Sequence, residues 1–310
     1  MSRSIPGLHH VTAISGAPQE NVDFYTALLG QRLIKKTVNF DAPDTYHLYY
    51  GDHGGTPGTV LTFFPFVDAG PGRAGAGMAS AVAYAVAPGG LDAWIDRLAD
   101  RAIDFEGPDS RLGERMIALR DPHGLRVELI ESAAAPEPTH AFHSVTLWVD
   151  RPEPSARVLV DVLGYEEAES ENGDGVERTR FRSPAGGPGA VVDLVRRDER
   201  SIGRQGAGTI HHVAFRAESD EVQLEWRERV ASAGLDVTPV IDRQYFNAIY
   251  FREPGGTLFE IATDPPGFTV DEPLEELGTH LLLPPQHEPR RARIEQILPE
   301  IEVPGAGSAP

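Results

Sequence analysis

The feature that most limits how this chain can fold is internal repetition. At an offset of 132 residues, segment 78–131 matches 210–263: Trp94 falls on Trp226, Arg111 on Arg243, Pro122 on Pro254, Gly124 on Gly256 and Glu128 on Glu260. The remaining two segments match each other with small gaps. His10-Val11-Thr12 answers His143-Ser144-Val145-Thr146, Leu28-Leu29-Gly30 answers Val162-Leu163-Gly164, and 56–62 answers 187–193. Four modules result, at about 7–66, 78–131, 140–196 and 208–263. Each reads as a strand, a helix such as 18–29 or 220–233, then strands ending in an alternating run behind a Pro/Gly turn. One βαβββ unit cannot bury both faces of its sheet, so the modules should pair.

The repeats divide the chain into an N-terminal half, 1–139, a C-terminal half, 140–275, and a Pro-rich tail, 276–310, in which Arg290–Leu298 reads as one short helix. Linkers rich in Gly, Pro and Ala, at 68–77 and 133–138, separate modules. The class is α+β.

Composition narrows the chemistry. With no cysteine, any metal must rest on His, Asp and Glu. A net charge of −19 and only two lysines, Lys35 and Lys36, argue against a nucleic-acid partner. No window approaches the ~20 apolar residues of a membrane span. Met1–Gly7 has no apolar stretch of signal-peptide length, so the expected location is the cytoplasm.

Several motifs are specific. His9-His10-Val11-Thr12 and His211-His212-Val213 place histidine doublets in first strands; Lys35–Phe40, Tyr46–Gly51, Tyr245–Glu253 and Phe259–Phe268 complete the set. With four βαβββ modules, these resemble the vicinal oxygen chelate superfamily of glyoxalase I, fosfomycin-resistance proteins and extradiol dioxygenases. They are most similar to its hydroquinone-type ring-cleaving dioxygenases. The resemblance runs from residue 7 into the tail. It implies two open barrels of paired modules.

In such a fold each module offers one inward position on its first strand and one on its last. These are His10 and Thr62, Ser80 and Glu128, His143 and Asp193, and His212 and Glu260. Modules one and four together give His10, His212 and Glu260 with no fourth ligand. Two histidines and one carboxylate hold Fe(II) on one face and leave positions open for substrate and O₂. Modules three and four would give His143, His212, Glu260 and Asp193, closer to an isomerase site. The doublets occur in modules one and four only, and the resembling subgroup draws its ligands from those modules. The expected metal set is therefore His10, His212 and Glu260, in a barrel of modules one and four, with His143, Glu128 and Asp193 as remnants.

The resemblance further implies His9, His211, Thr12, Arg243 and Tyr250 around the metal. Arg243 would stabilise a phenolate, and Tyr250 would pass protons. Arg111, the repeat mate of Arg243, has no site beside it on this reading, whereas the mate of Tyr250 is Ala118. His47, His53, His123, His140, His280 and His287 read as surface residues, with a pocket role as the second reading for Tyr46 and His47. The expected activity is Fe(II)-dependent opening of a hydroquinone or catechol ring by O₂, with Mn(II) as the other metal and a homodimer as the assembly. The rival is a glyoxalase I-like isomerase or lyase using Zn, Ni or Mn.

Overall fold

A computed structural model describes residues 3–133, 140–199 and 201–303. Most of the linker read at 133–138 lies outside the described residues. The first module comprises β1 (Leu8–Ser15), α1 (Pro18–Asp23), β2 (Arg32–Asn39), β3 (Ala42–Gly51) and β4 (Val60–Pro65). The second comprises β5 (Met78–Val86), α2 (Leu91–Asp100), β6 (Phe105–Arg111), β7 (Glu114–Arg120) and β8 (Arg126–Glu131). The third follows with β9 (Phe142–Trp148), α3 (Pro152–Arg157), β10 (Glu166–Gly173), β11 (Val176–Arg182) and β12 (Val191–Arg197). The fourth has β13 (Thr209–Ala217), α4 (Asp220–Ser232), β14 (Ile241–Asp242), β15 (Phe246–Arg252) and β16 (Leu258–Pro266). The βαβββ reading thus holds in all four.

Two helices are more irregular than their sequence suggests. Proline opens α1 and α3, and both run on into π-helical turns, Phe24–Leu28 and Val158–Val162. Each ends on a glycine in the left-handed region, Gly30 at φ 71° and Gly164 at φ 74°, where an L side chain is strained. The helix expected over 18–29 is therefore an α-turn grading into a wider one.

The modules pair as one with four and two with three. One eight-stranded sheet has the order β14-β15-β16-β13-β1-β4-β3-β2, the other β10-β11-β12-β9-β5-β8-β7-β6. Each sheet is two modules joined by antiparallel pairing of their first strands, β1 with β13 and β5 with β9. Each therefore takes one module from either half of the chain. The curled sheets are the two open barrels, and a hydrophobic cluster runs through both, from Leu8, Val11 and Phe215 to Val82, Val145 and Leu194.

The Gly-rich linkers are not slack. Residues 71–76 bridge residues 202–207 through Pro71 with Ala207, Arg73 with Arg204 and Ala76 with Ile202. The tail covers the exposed edge of β2: Leu282 N–H donates to Lys36 C=O, and fully buried Lys35 pairs with Asp271 and Glu272 at 2.8 and 3.0 Å. The tail's helix is α5 (Arg291–Ile297), and Tyr46 reaches past it to donate to the Pro299 carbonyl. No helix among the described residues is long and apolar enough to cross a membrane.

Candidate metal centre

Strand register brings three residues from distant sequence together. Across the β1/β13 seam, His10 lies opposite Ala214 and Thr12 opposite His212. Residues two apart on a strand share a face, so both imidazoles point to one side of the sheet. Glu260, on β16, is level with Ala214, and Tyr250, on β15, lies opposite Glu260.

The three side chains converge. His212 Nε2 lies 2.9 Å from Glu260 Oε2, His10 Nε2 lies 3.6 Å from the same oxygen, and the two Nε2 atoms are 3.4 Å apart. All three residues are buried, with donor atoms within 4.8 Å of one another. Neither Glu260 oxygen accepts a hydrogen bond of ordinary geometry among the described residues. A buried carboxylate without donors, facing two ring nitrogens, is costly by itself and becomes favourable around a cation. The residues present therefore fit a metal ion, with two nitrogens and one carboxylate as its protein donors.

The preceding histidines complete this chemistry. His9 Nδ1 lies 2.9 Å from His10 Nδ1, and His211 Nδ1 lies 2.8 Å from His212 Nδ1. With His10 Nε2 facing Glu260 as the donor atom of a ligand, the His10 proton sits on Nδ1, and a neutral His9 that accepts it at Nδ1 carries its own proton on Nε2. His9 Nδ1 then accepts from His10 Nδ1–H, and His10 Nε2 is left as a lone pair aimed into the cluster. The same logic at the second doublet puts the His211 proton on Nε2, in the pocket that this ring lines. Alternation alone turns His9 and His211 away from the cluster. Their contact through Nδ1 shows that facing away does not prevent one ring from orienting its neighbour.

Burial sets the electrostatics. It pushes the His9 imidazole down to about 3, helped by His10, and the His211 imidazole to about 4, helped by His212, so both are neutral at neutral pH. Burial alone would raise the Glu260 carboxyl, but when no metal is bound protonated His10 and His212 more than reverse this and hold it well below the usual range. The Tyr250 phenol is pushed well up by burial and by Glu260. Arg243 Nε lies 3.2 Å from Tyr250 Oη, and its Nη1 lies 3.2 Å from Asp41, at the β2–β3 turn.

A cavity of about 180 Å³ opens onto the cluster, walled by Phe64, His47, Tyr49, Phe246, Arg243 and Tyr250 among others. His47 corrects its surface reading, for it stands in this wall on β3. Its Nε2 is 2.9 Å from Thr62 Oγ1, its Nδ1 2.8 Å from Tyr49 Oη, and Thr62 Oγ1 is 2.8 Å from Thr12 Oγ1. His47 and Tyr49 alternate onto one strand face, a signal available in Tyr46-His47-Leu48-Tyr49. His53 and His280 are exposed as expected, whereas the His123 side chain is only 8% exposed.

The second sheet corrects two alignments. Glu260 lies level with the residue two after His212, and Thr62 with the residue two after His10. In the second sheet Glu128 lies level with Ala83 and Asp193 with Thr146, which makes Ala81 and Ser144, not Ser80 and His143, the counterparts of the paired histidines. His143 instead occupies the place of His9 and His211, with Nδ1 3.0 Å from Ser144 Oγ. The strand irregularities agree: the β1/β13 register skips His9 and His211, and the β5/β9 register skips Ser80 and His143. Arg111 also has a partner after all: its Nη1 and Nη2 donate to Glu128 at 2.5 and 2.7 Å, and Arg126 Nε adds a third bond at 2.9 Å. Arg178 and Arg180 do the same for Asp193.

Comparison with known proteins agrees with this architecture. The model of the Glyoxalase/Bleomycin resistance protein/Dioxygenase superfamily matches residues 7–129 and 141–261. The chain is 46% identical to the Bacillus subtilis protein named "Putative ring-cleaving dioxygenase MhqO", over 98% of this chain and 99% of that one. It is 36% identical to the chlorohydroquinone/hydroquinone 1,2-dioxygenase of Sphingobium indicum, over 92% and 93%. The crystal structure of a B. subtilis protein described as a "putative dioxygenase" superposes with a TM-score of 0.90 at 45% identity, covering 98% of this chain and 99% of that one. With both halves matched and relatives aligned over nearly their full lengths, the chain belongs to the glyoxalase/bleomycin resistance protein/dioxygenase superfamily.

Proposed function

We propose that the chain is a non-haem Fe(II) ring-cleaving dioxygenase of the extradiol type, opening a hydroquinone or catechol ring with O₂. The observation that carries this is the cluster itself: His10, His212 and Glu260 converge, while the fourth corner holds Thr62, tied to Thr12 and His47. The names of the relatives point the same way. A ferrous ion held by such a set supplies open coordination positions and one-electron chemistry toward O₂ and an electron-rich ring.

The chain's own groups divide the remaining work. The cavity, about 180 Å³, is near the ~150 Å³ that suffices for benzene, so one ring fits. Phe64 and Phe246 line opposite modules of that cavity and hold the ring by its apolar surface. Arg243 offers a fixed positive charge to a substrate phenolate, beside Tyr250. Tyr250 enters as a neutral phenol, able to give a hydrogen bond to substrate oxygen, and neutral His211 presents its Nε2–H to the cavity as a second donor. His9 and His211 keep the Nε2 lone pairs of their neighbours directed inward.

Anaerobic reconstitution with Fe(II), followed by oxygen uptake with hydroquinone and with catechol, tests this reading. Uptake stoichiometric with ring opening supports it. No uptake with either, together with activity on a glutathione hemithioacetal, overturns it in favour of the isomerase.

A further inference from the structure

Four buried polar groups form an unbroken chain along one side of the cluster: Tyr49 Oη to His47 Nδ1 at 2.8 Å, His47 Nε2 to Thr62 Oγ1 at 2.9 Å, and Thr62 Oγ1 to Thr12 Oγ1 at 2.8 Å. Tyr49, Thr62 and Thr12 are at most 1% exposed. Counting protons fixes the direction of the chain. The buried Tyr49 hydroxyl has one proton to donate, and among the described residues its partner is His47 Nδ1. A neutral imidazole that accepts at Nδ1 carries its proton on Nε2, so His47 donates to Thr62. Burial keeps that imidazole neutral, well below its ordinary value. Thr62 has already accepted from His47 and gives its own proton to Thr12. The Thr12 proton then has no acceptor among the described residues, and the Thr12 side chain stands cross-strand from His212 on the face that carries the cluster.

We propose that Tyr49, His47 and Thr62 are positioning residues that polarise the Thr12 hydroxyl as a hydrogen-bond donor toward an anionic oxygen or nitrogen ligand at the open corner of the His10/His212/Glu260 cluster. The corner in question is the one that Thr62, level with Thr12 as Glu260 is with Ala214, leaves without a protein ligand. The inference rests on the metal-centre reading for its ligand and on hydrogen-bond geometry alone for its direction. It explains why a strand position equivalent to a metal ligand carries a hydroxyl: Thr62 can both accept from His47 and donate to Thr12, which an aliphatic residue cannot do.

Two measurements on the zinc-loaded protein test it. Long-range proton–nitrogen correlation spectra of protein labelled with ¹⁵N-histidine read the His47 tautomer directly; the Nε2–H form is expected, and the Nδ1–H form would reverse the chain and overturn the proposal. This readout needs neither iron nor an aromatic substrate, so it stands or falls separately from the dioxygenase reading. Calorimetric titration with azide then reads the donor. Thr12→Val should weaken azide binding about tenfold, the loss expected for one hydrogen bond; Thr62→Val should weaken it by a smaller factor, about two- to threefold, with zinc affinity unchanged in both, and Thr62→Ser should restore the parent value. Equal azide affinity in Thr62→Val and the parent, or a parallel loss of zinc affinity, would overturn the proposal.

Discussion

At register-equivalent places in the two sheets, Glu260 faces two imidazoles and Glu128 faces two guanidinium groups. Both carboxylates are buried, both are held below their ordinary range, and Glu128 is held at about 2, burial being outweighed by Arg111 and Arg126. The difference lies in what the partners bring. Guanidinium groups supply protons and permanent charge, so the carboxylates of the second sheet are satisfied within the protein. Imidazoles whose Nδ1 atoms are engaged supply lone pairs, and the first sheet is left short of positive charge. One topology thus yields a closed ionic core in one sheet and, in the other, an open cluster that fits a metal ion, through the choice of partner for its carboxylate.

The largest expected break in that comparison comes from the ligands. His10→Ala, His212→Ala and Glu260→Ala should each lower Fe(II) affinity by more than ~100-fold, beyond the losses typical of supporting residues, while His143→Ala keeps its metal. Metal content after dialysis checks this; iron retained in His10→Ala and lost from His143→Ala would refute the pairing. In the other sheet, Arg111→Met leaves part of a buried ion pair uncompensated and should cost about 3 kcal/mol of stability, measured by urea denaturation, with metal affinity unaffected.

Smaller effects sharpen the contrast. Tyr250→Phe should lower kcat about 100-fold at unchanged iron content, as expected for loss of one acid-base group, and steady-state oxygen uptake reads it. His9→Phe removes the acceptor for His10 Nδ1–H and should weaken metal binding about tenfold by competition with a chelator. The smallest effect is acid sensitivity. The depressed folded value of Glu128 means that its contribution is complete above the ordinary carboxylate range and is lost as pH falls from about 4.5 toward 2. Glu128→Gln should therefore show a shallower loss of urea midpoint over that interval than the parent. Parallel curves would show that the arginines do not hold this carboxylate.

Much of this was legible in the chain. Repetition gives four modules, and the restriction of His-His doublets to the first and fourth leads to the pairing found in the first sheet. Other parts depend on strand offsets. His143 aligns with the ligands only because three residues, His10-Val11-Thr12, are matched to four, His143–Thr146, with histidine set on histidine; the strand register sets Ser144 there instead. The reading that Arg111 has no site beside it leaves out its ionic partner, Glu128, which lies 17 residues away across two strands. His47 lies in the first module but outside the segments matched between modules, and Thr62 looks blank because its task is to join two side chains that are distant in sequence.

The pairing of the first module with the fourth also dictates an order of events at the ribosome. The second sheet is contiguous, from Met78 to Arg197, and every strand it needs has been made before the fourth module appears. The first sheet waits with β1 paired to β4 on one side only until β13 and β16 emerge, and its two histidines are 202 residues apart. Closing so long a loop costs entropy and slows assembly. A chain cut short before residue 209 carries His10 without His212 or Glu260, so an unfinished product of synthesis has no means of assembling the three-residue centre.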